Sequence, residues 1–335
     1  MHMHDMHRFN DQVSRPMRRV LAYLGFLFSI LLLVGCVPDT EQNRPTVVTS
    51  IAPLGDWIRQ VGGEHINVVV IVPPGASPHT FELRPRQLRA ASDARLVVLM
   101  GAGLEYWDEE LLANLGEDTR ILRLSEGHEL LQSGRQDDDG PTGLDRDGHD
   151  HDGHNHDGNE HDGHDHSAGN PHLWLDPVFA RHAVGRIAAS LSAVLPSLDT
   201  AFTRRADAYA AELALLDREI SRRMSTLRRR SFIGDHSSWV YFARRYGLTQ
   251  EGVIEATPGR EISARAMSDL IELMKRRQVS AVFADIRKSS SAADVLAEET
   301  GAKVALLDPI GGEQTAEEYV PLMRYNLDEM MRVLQ

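Results

Sequence analysis

Residues 66–72 read Ile66-Asn67-Val68-Val69-Val70-Ile71-Val72 and run directly into Pro73-Pro74-Gly75. A continuous β-branched run of this length is typical of a strand buried on both faces, as in a parallel sheet covered by helices. The prolines and glycine then close it in a rigid turn. Upstream, Val47–Ala52 reads as a strand and Pro53–Gly62 as a helix opening on proline. Downstream follow a helix over Arg86–Asp93, a strand over Arg95–Met100, a helix over Tyr106–Leu115 and a short strand over Arg120–Leu124. Strands alternating with short helices predict an α/β fold with a mostly parallel sheet.

The alternation stops near Ser125 and resumes after Asn170. Val178–Leu195 has helical periodicity. Leu198–Arg229 then places Phe202, Tyr209, Leu213, Leu216, Ile220, Met224 and Leu227 on one face of a single helix of roughly 45 Å. That is longer than one small domain needs, so it is expected to bridge two lobes. A second alternation follows, with strands at Ser231–Gly234, Gln250–Glu255, Ala281–Ala284 and Lys303–Leu307. Its helices are expected at Trp239–Tyr246, Ala264–Arg277, Ala292–Thr300 and Ala316–Leu334. The expected architecture is two α/β lobes, each a mostly parallel sheet flanked by helices, joined by one long connecting helix. The boundaries are 46–124 for the N-terminal lobe, 170–197 for its completion, 198–230 for the connecting helix and 231–335 for the C-terminal lobe.

The interruption, 125–169, carries the chain's most unusual composition. Residues 149–166 hold His149, His151, His154, His156, His161, His164 and His166 among carboxylates and glycines, with no aliphatic side chain to bury. Such a string is expected to be disordered and offers borderline-soft nitrogen donors suited to zinc and its neighbours, as auxiliary low-affinity sites. It also explains the acidity. Residues 137–165 contain eleven Asp/Glu against one Arg, so the net charge of -13 leaves about -3 for the rest of the 335 residues. A nearly neutral body excludes the basic stripe of a nucleic-acid binder.

The single cysteine, Cys36, follows a charged start (Met17-Arg18-Arg19) and an apolar run from Val20 to Val34. That pattern describes an export signal over 1–36. Leu33-Val34-Gly35-Cys36 resembles the lipobox at which bacterial lipoproteins are lipidated. A polar, turn-rich tether over 37–45 would follow, and the protein would sit outside the cytoplasm, periplasmic or otherwise extracytoplasmic, anchored to the membrane through Cys36. With that cysteine lipidated, no disulfide can form.

Open α/β sheets bind ligands at the carboxyl ends of their strands. Four chemically capable segments fall at strand or lobe edges: the turn carrying His79, the Asp235-His236 pair, Asp308-Pro309, and Asn170-Pro171-His172-Leu173-Trp174-Leu175-Asp176-Pro177. Three imidazoles and one carboxylate would close a tetrahedral zinc site. Each residue also has a plainer reading: a hydrogen-bonded loop histidine, a turn cap for Asp308, a helix N-cap for Asp176.

These same segments resemble the zinc and manganese solute-binding lipoproteins of bacterial metal ABC importers, over about residues 46–335 without the insertion. The likeness rests on Pro74-Gly75-Ala76-Ser77-Pro78-His79-Thr80-Phe81-Glu82 and on the Asn170–Pro177 segment. It rests further on His236 ahead of Phe242 and Tyr246-Gly247-Leu248, and on Leu307-Asp308-Pro309-Ile310-Gly311. The resemblance implies His79, His172, His236 and Asp308 as metal ligands, with Glu82 as the alternative carboxylate and Glu82 or Asp176 as supporting groups. Histidine rather than glutamate at position 236 implies Zn²⁺ over Mn²⁺, in keeping with ligand softness. The chain departs from the family at Ala284-Asp285-Ile286, where a glutamate is usual, and in lacking the disulfide of some zinc members.

Other signals are weaker. Gly101-Ala102-Gly103 lacks the third glycine of a dinucleotide fingerprint, and His128-Glu129-Leu130-Leu131-Gln132 lacks the second histidine of a metalloprotease helix. The expectation is therefore a monomeric, non-enzymatic zinc receptor that passes Zn²⁺ to a membrane permease of an ABC importer. The alternatives are a manganese-binding homologue, a zinc-dependent hydrolase and a metal-storage surface lipoprotein.

Overall fold

The computed structural model describes residues 44–132, 169–257, 259–288, 291–312 and 315–335. The signal segment, Cys36, most of the tether and the histidine string from His149 to His166 lie outside the described residues. No helix among the described residues is long and apolar enough to cross a membrane.

Two four-stranded sheets, every pairing parallel, form the frame. The first holds β1 (Thr46–Thr49), β2 (Asn67–Val70), β3 (Ala94–Leu99) and β4 (Arg120–Arg123) in the order β2-β1-β3-β4. The second holds β5 (Ser231–Gly234), β6 (Thr249–Val253), β7 (Ala281–Asp285) and β8 (Lys303–Leu307) in the order β6-β5-β7-β8. The lobes thus share one topology. In each, the chain leaves the first strand to one side and then crosses to the other, so the topological switch lies between the two central strands. The helices are α1 (Ala52–Gly62), α2 (Pro85–Ala91) and α3 (Asp108–Leu112) in the N-terminal lobe. After the interruption come α4 (Pro177–Val194) and the long α5 (Asp199–Ser225). The C-terminal lobe adds α6 (Val240–Tyr246), α7 (Ala264–Arg277), α8 (Ser291–Thr300) and α9 (Tyr319–Leu334).

The β-branched run at 66–72 needs a correction. It does form a strand, but at the edge of its sheet, with Asn67 exposed and Val68, Val69 and Val70 half-buried. The fully buried residues of the run, Ile66, Ile71 and Val72, flank the strand. Apolar composition reports affinity for a covered surface; strand order is set by where the crossover helices pack, which composition does not encode. The central β3 is the strand buried on both faces, with five of its six residues buried.

The connecting helix spans 27 residues, about 40 Å at 1.5 Å per residue. Its inward stripe is Phe202, Ala206, Tyr209, Leu213, Leu216, Ile220 and Met224, all buried. It ends at Ser225, earlier than expected, and the end carbonyl of Met224 accepts from the Leu227 backbone N–H (3.2 Å) and from Arg230 (3.1 Å). One apolar core runs from the first sheet across α5 to one face of the second sheet, taking Phe232 and Phe283, whose rings stack 4.2 Å apart. The strand alternation turns Ile233, Val282 and Ala284 the other way, into a second core under α7 and α8.

Asp56 ties these parts together from a position 3 % exposed. Its Oδ2 accepts from the Tyr209 hydroxyl on α5 (2.9 Å) and from the Tyr319 backbone N–H at the start of α9 (3.0 Å). The Trp57 and Tyr319 rings meet edge-on at 5.2 Å, and the Tyr319 hydroxyl donates to the Trp174 carbonyl. Helices from both lobes are thereby clamped to the connecting helix.

Candidate metal centre

Three loops deliver three imidazoles to one point. His79 sits in the turn after the edge strand β2. Its backbone N–H donates to Ser77 Oγ (3.3 Å), and Gly75 supplies a left-handed residue (φ 81°) earlier in that turn. His172 precedes a 3-10 turn, Leu173–Leu175, whose three residues are all buried and anchor it. His236 lies two residues beyond β5, a central strand of the second sheet, and so at its switch point.

The Nε2 atoms of His79 and His172 are 3.0 Å apart, and those of His172 and His236 3.2 Å. All three ligand atoms lie within 4.8 Å of one another. A tetrahedral zinc with bonds near 2.05 Å requires nitrogens about 3.3 Å apart, so the spacing is that of a ligand set. His172 is 3 % exposed, His236 7 %, and His79 is half-buried, which leaves one side of the cluster towards solvent.

The ring orientations are fixed from behind. Asn170 Nδ2 donates to the Ser237 carbonyl (2.6 Å), so its Oδ1 faces His172. That oxygen accepts from both the backbone N–H and Nδ1–H of His172, each at 3.0 Å. With its proton on Nδ1, His172 presents a lone pair at Nε2. On His236, Nδ1 lies 3.4 Å from Asp235 Oδ2, which sets the same tautomer. Burial foremost, then the neighbouring His79 and His236 rings and the Arg287 charge, hold His172 well below the usual imidazole range. It is therefore neutral, as a metal ligand must be.

The candidate carboxylates stand outside the imidazole group, and Asp176 and Asp308 take their plainer roles as caps. The structure does not bring Asp308 into the imidazole group. Its Oδ1 accepts from the Ile310 (3.1 Å) and Gly311 (2.9 Å) backbone N–H groups, and its Oδ2 from Thr315 Oγ1 (2.5 Å). It holds the loop after β8, and Gly311 (φ 77°) makes that tight turn possible. Glu82 is exposed. Asp176 caps α4, accepting from Val178 N (2.8 Å), and pairs with Arg245.

Around the imidazoles is a cavity of about 80 Å³ lined by His79, His172, Trp174, His236, Asp285 and Arg287 among others. Asp285 accepts from Arg287 Nε (2.9 Å) and Nη2 (2.5 Å). Lys288 donates to Asp235 (2.8 Å) and Glu255 (2.6 Å). Burial alone would raise Asp235, but the hydrogen bonds from His236 and Lys288 outweigh it and keep its carboxyl below the ordinary range. A wider cleft of about 560 Å³, lined by Asp235, Glu255, Glu261, Asp285 and Lys288 among others, adjoins this cavity on the C-terminal lobe.

A family profile described as periplasmic zinc-uptake complex component A (ZnuA) matches residues 47–333. The chain belongs to that family. Among curated relatives, the zinc-binding lipoprotein AdcA of Streptococcus pneumoniae is 27 % identical over 316 residues, covering 93 % of this chain and 60 % of AdcA. The high-affinity zinc uptake system protein ZnuA of Bacillus subtilis is 28 % identical over 298 residues, covering 87 % of this chain and 88 % of the relative. A crystal structure of ZnuA superposes with a TM-score of 0.72 at 28 % identity, over 88 % of this chain and all of that one. The chain spans about 60 % of the length of the AdcA relatives it matches.

In this member of the zinc-uptake family, sequence reasoning finds the three histidines but misses their supports. Asn170 and Asp235 carry a signal in hindsight, standing two and one residues before His172 and His236. Arg287 carries none, and Trp174, quoted only as part of the Asn170–Pro177 segment, donates through Nε1 to the Pro309 carbonyl across the lobe boundary (2.7 Å). The Gly101-Ala102-Gly103 stretch proves to be a left-handed turn (φ 77°, 53° and 77°). The backbone N–H groups of Met100 and Gly101 donate to Glu105, which also accepts from Ser50 Oγ across the first switch point.

Proposed function

We propose that the protein is a zinc receptor that captures Zn²⁺ outside the cytoplasm and delivers it to the permease of a metal ABC importer. The observation that carries this reading is the convergence of three Nε2 atoms at ligand spacing, two of them on rings whose Nδ1 is already oriented. Three neutral nitrogens with no carboxylate in the group favour Zn²⁺ over Mn²⁺, which prefers an oxygen-rich shell. His79, His172 and His236 hold the ion, and Asp308 supports the loop beside it.

Membership of a family described by periplasmic zinc uptake, with relatives named for zinc binding, supports the same reading. The lipid anchor at Cys36, a monomeric state and auxiliary zinc binding by His149 to His166 belong to the proposal as well. Release to the permease needs the two halves of the site to part. His172 and His236 come from different lobes, which the Asn170–Ser237, Tyr241–Asn170 and Trp174–Pro309 hydrogen bonds join close to the metal position.

The test is elemental analysis of untagged protein together with chelator-competition titrations of wild type and the single variants His79→Ala, His172→Ala and His236→Ala. Bound zinc at one equivalent, with tight binding lost in each variant, is the expected result. Manganese in the purified protein, or undiminished zinc affinity in the variants, would overturn it.

A further inference from the structure

The two imidazoles that are oriented from behind are not held alike. Asn170 Oδ1 stands 3.0 Å from His172 Nδ1. Asp235 Oδ2 stands 3.4 Å from His236 Nδ1, longer than the usual range for such a bond. The same Oδ2 accepts from Lys288 Nζ at 2.8 Å. One carboxylate oxygen is thus shared between an ammonium and a metal-ligating ring, and the ammonium has the shorter contact.

The fold fixes Lys288 in that position. Its backbone N–H donates to the Asp285 carbonyl (3.0 Å), closing the turn after β7. Its Nζ also donates to Glu255 Oε2 (2.6 Å), two residues beyond β6. The Glu255 backbone N–H in turn donates to the Asp235 carbonyl (2.7 Å), and Asp235 follows β5 directly. Loops from three adjacent strands therefore set one ammonium between two largely buried carboxylates at the switch point beside the metal position.

A carboxylate that accepts from the far nitrogen of a metal-bound imidazole makes the ring a stronger donor to the metal. A compact ammonium on the same oxygen offsets the charge that gives this effect, and it stands on the metal side of the lobe as a second cation. We propose that Lys288 is a positioning residue that holds zinc affinity down. By competing with His236 for Asp235 Oδ2, it keeps His236 a more weakly backed ligand than His172 and so sets how fast the ion leaves. A receptor has to release its cargo as well as capture it, and Lys288 tunes the C-terminal lobe's half of the site for release. The proposal rests on the three-histidine reading above and concerns the strength of that site, not its existence.

The experiment uses the full chain, stripped of metal and titrated with Zn²⁺ against a chromophoric chelator. Release into excess chelator is followed by stopped flow. The proteins are wild type, Lys288→Met, Lys288→Gln, Lys288→Arg, Asp235→Asn and the double variant Asp235→Asn/Lys288→Met. Lys288→Met and Lys288→Gln should bind zinc about tenfold tighter and release it correspondingly more slowly, whereas Lys288→Arg, which keeps the charge, stays within about threefold of wild type. A structural defect would weaken binding, so the direction of the change separates the two roles. Asp235→Asn should bind about tenfold or more weakly, and adding Lys288→Met to it should change affinity by less than about threefold, because the lysine acts through that carboxylate. In zinc-loaded protein the His236 Nδ1–H proton resonance should move downfield in Lys288→Met as its hydrogen bond shortens. Unchanged or weaker zinc binding in folded Lys288→Met and Lys288→Gln would overturn the proposal. So would an equal gain in the Asp235→Asn background, or an unmoved His236 resonance. A wild-type chain that takes up no zinc removes the receptor reading itself, so the two failures are distinguishable.

Discussion

Replacing Asn170 separates the positioning of a ligand from the holding of the fold. In Asn170→Ala, three groups lose their partner: the buried His172 backbone N–H and Nδ1–H, and the half-buried Ser237 carbonyl. At about 1 kcal/mol each, the low end for unmet buried groups, apo stability should fall by about 3 kcal/mol. Removing the group that orients a metal-ligating histidine costs about 10–100-fold in affinity, or about 1.4–2.7 kcal/mol. Asn170→Asp keeps an oxygen facing His172 but sets a carboxylate against the Ser237 carbonyl. It should lose a similar share of stability yet bind zinc within about threefold of wild type, since the oriented Nδ1–H is preserved. Urea unfolding of the apo proteins reads the first quantity, and competition with a chromophoric chelator reads the second. If a folded Asn170→Ala binds zinc as wild type does, or if both variants lose affinity equally, the imidazole is not positioned by this amide and the reasoning fails.

Asp308→Ala should cost about 2–4 kcal/mol of apo stability by stranding three donors, while zinc affinity changes less than about tenfold; a loss of several orders of magnitude in a folded variant would make Asp308 a ligand after all. Because His172 is held well below its ordinary value, the unfolded chain takes up that proton first. Its contribution to apo stability is therefore complete above about pH 6.5 and is lost as the pH falls towards the folded value. Unfolding midpoints measured across this range should drop on acidification, and less steeply in His172→Asn; parallel slopes would count against it. Gly101→Ala places a Cβ 2.6 Å from Ser125 Oγ at φ 77° and should lower apo stability by about 1–3 kcal/mol in a thermal melt. Calorimetry on a chain lacking residues 140–168 should show the tight zinc site intact and weaker sites gone, whereas unchanged stoichiometry would take the histidine string out of the function.

The chain's periodicities determined much by themselves. The alternation of short strands and helices specified two parallel α/β lobes, and the 3–4 spacing from Phe202 to Met224 specified the long helix, because both patterns record which side chains must leave water. His79, His172 and His236 were also legible, since each stands where a strand or lobe edge ends and bears a side chain suited to binding metal. Tertiary structure alone decided the rest. Whether the valine run became an edge or a central strand depended on helix packing. Whether Asp308 met the imidazoles or its own Ile310 and Gly311 amides depended on which donors lay closer once the loop closed. Arg287 acquired its place beside His172 only when the lobes came together. A hydrogen bond or an ion pair between residues a hundred positions apart is a matter of distance, and distance is not written in sequence order.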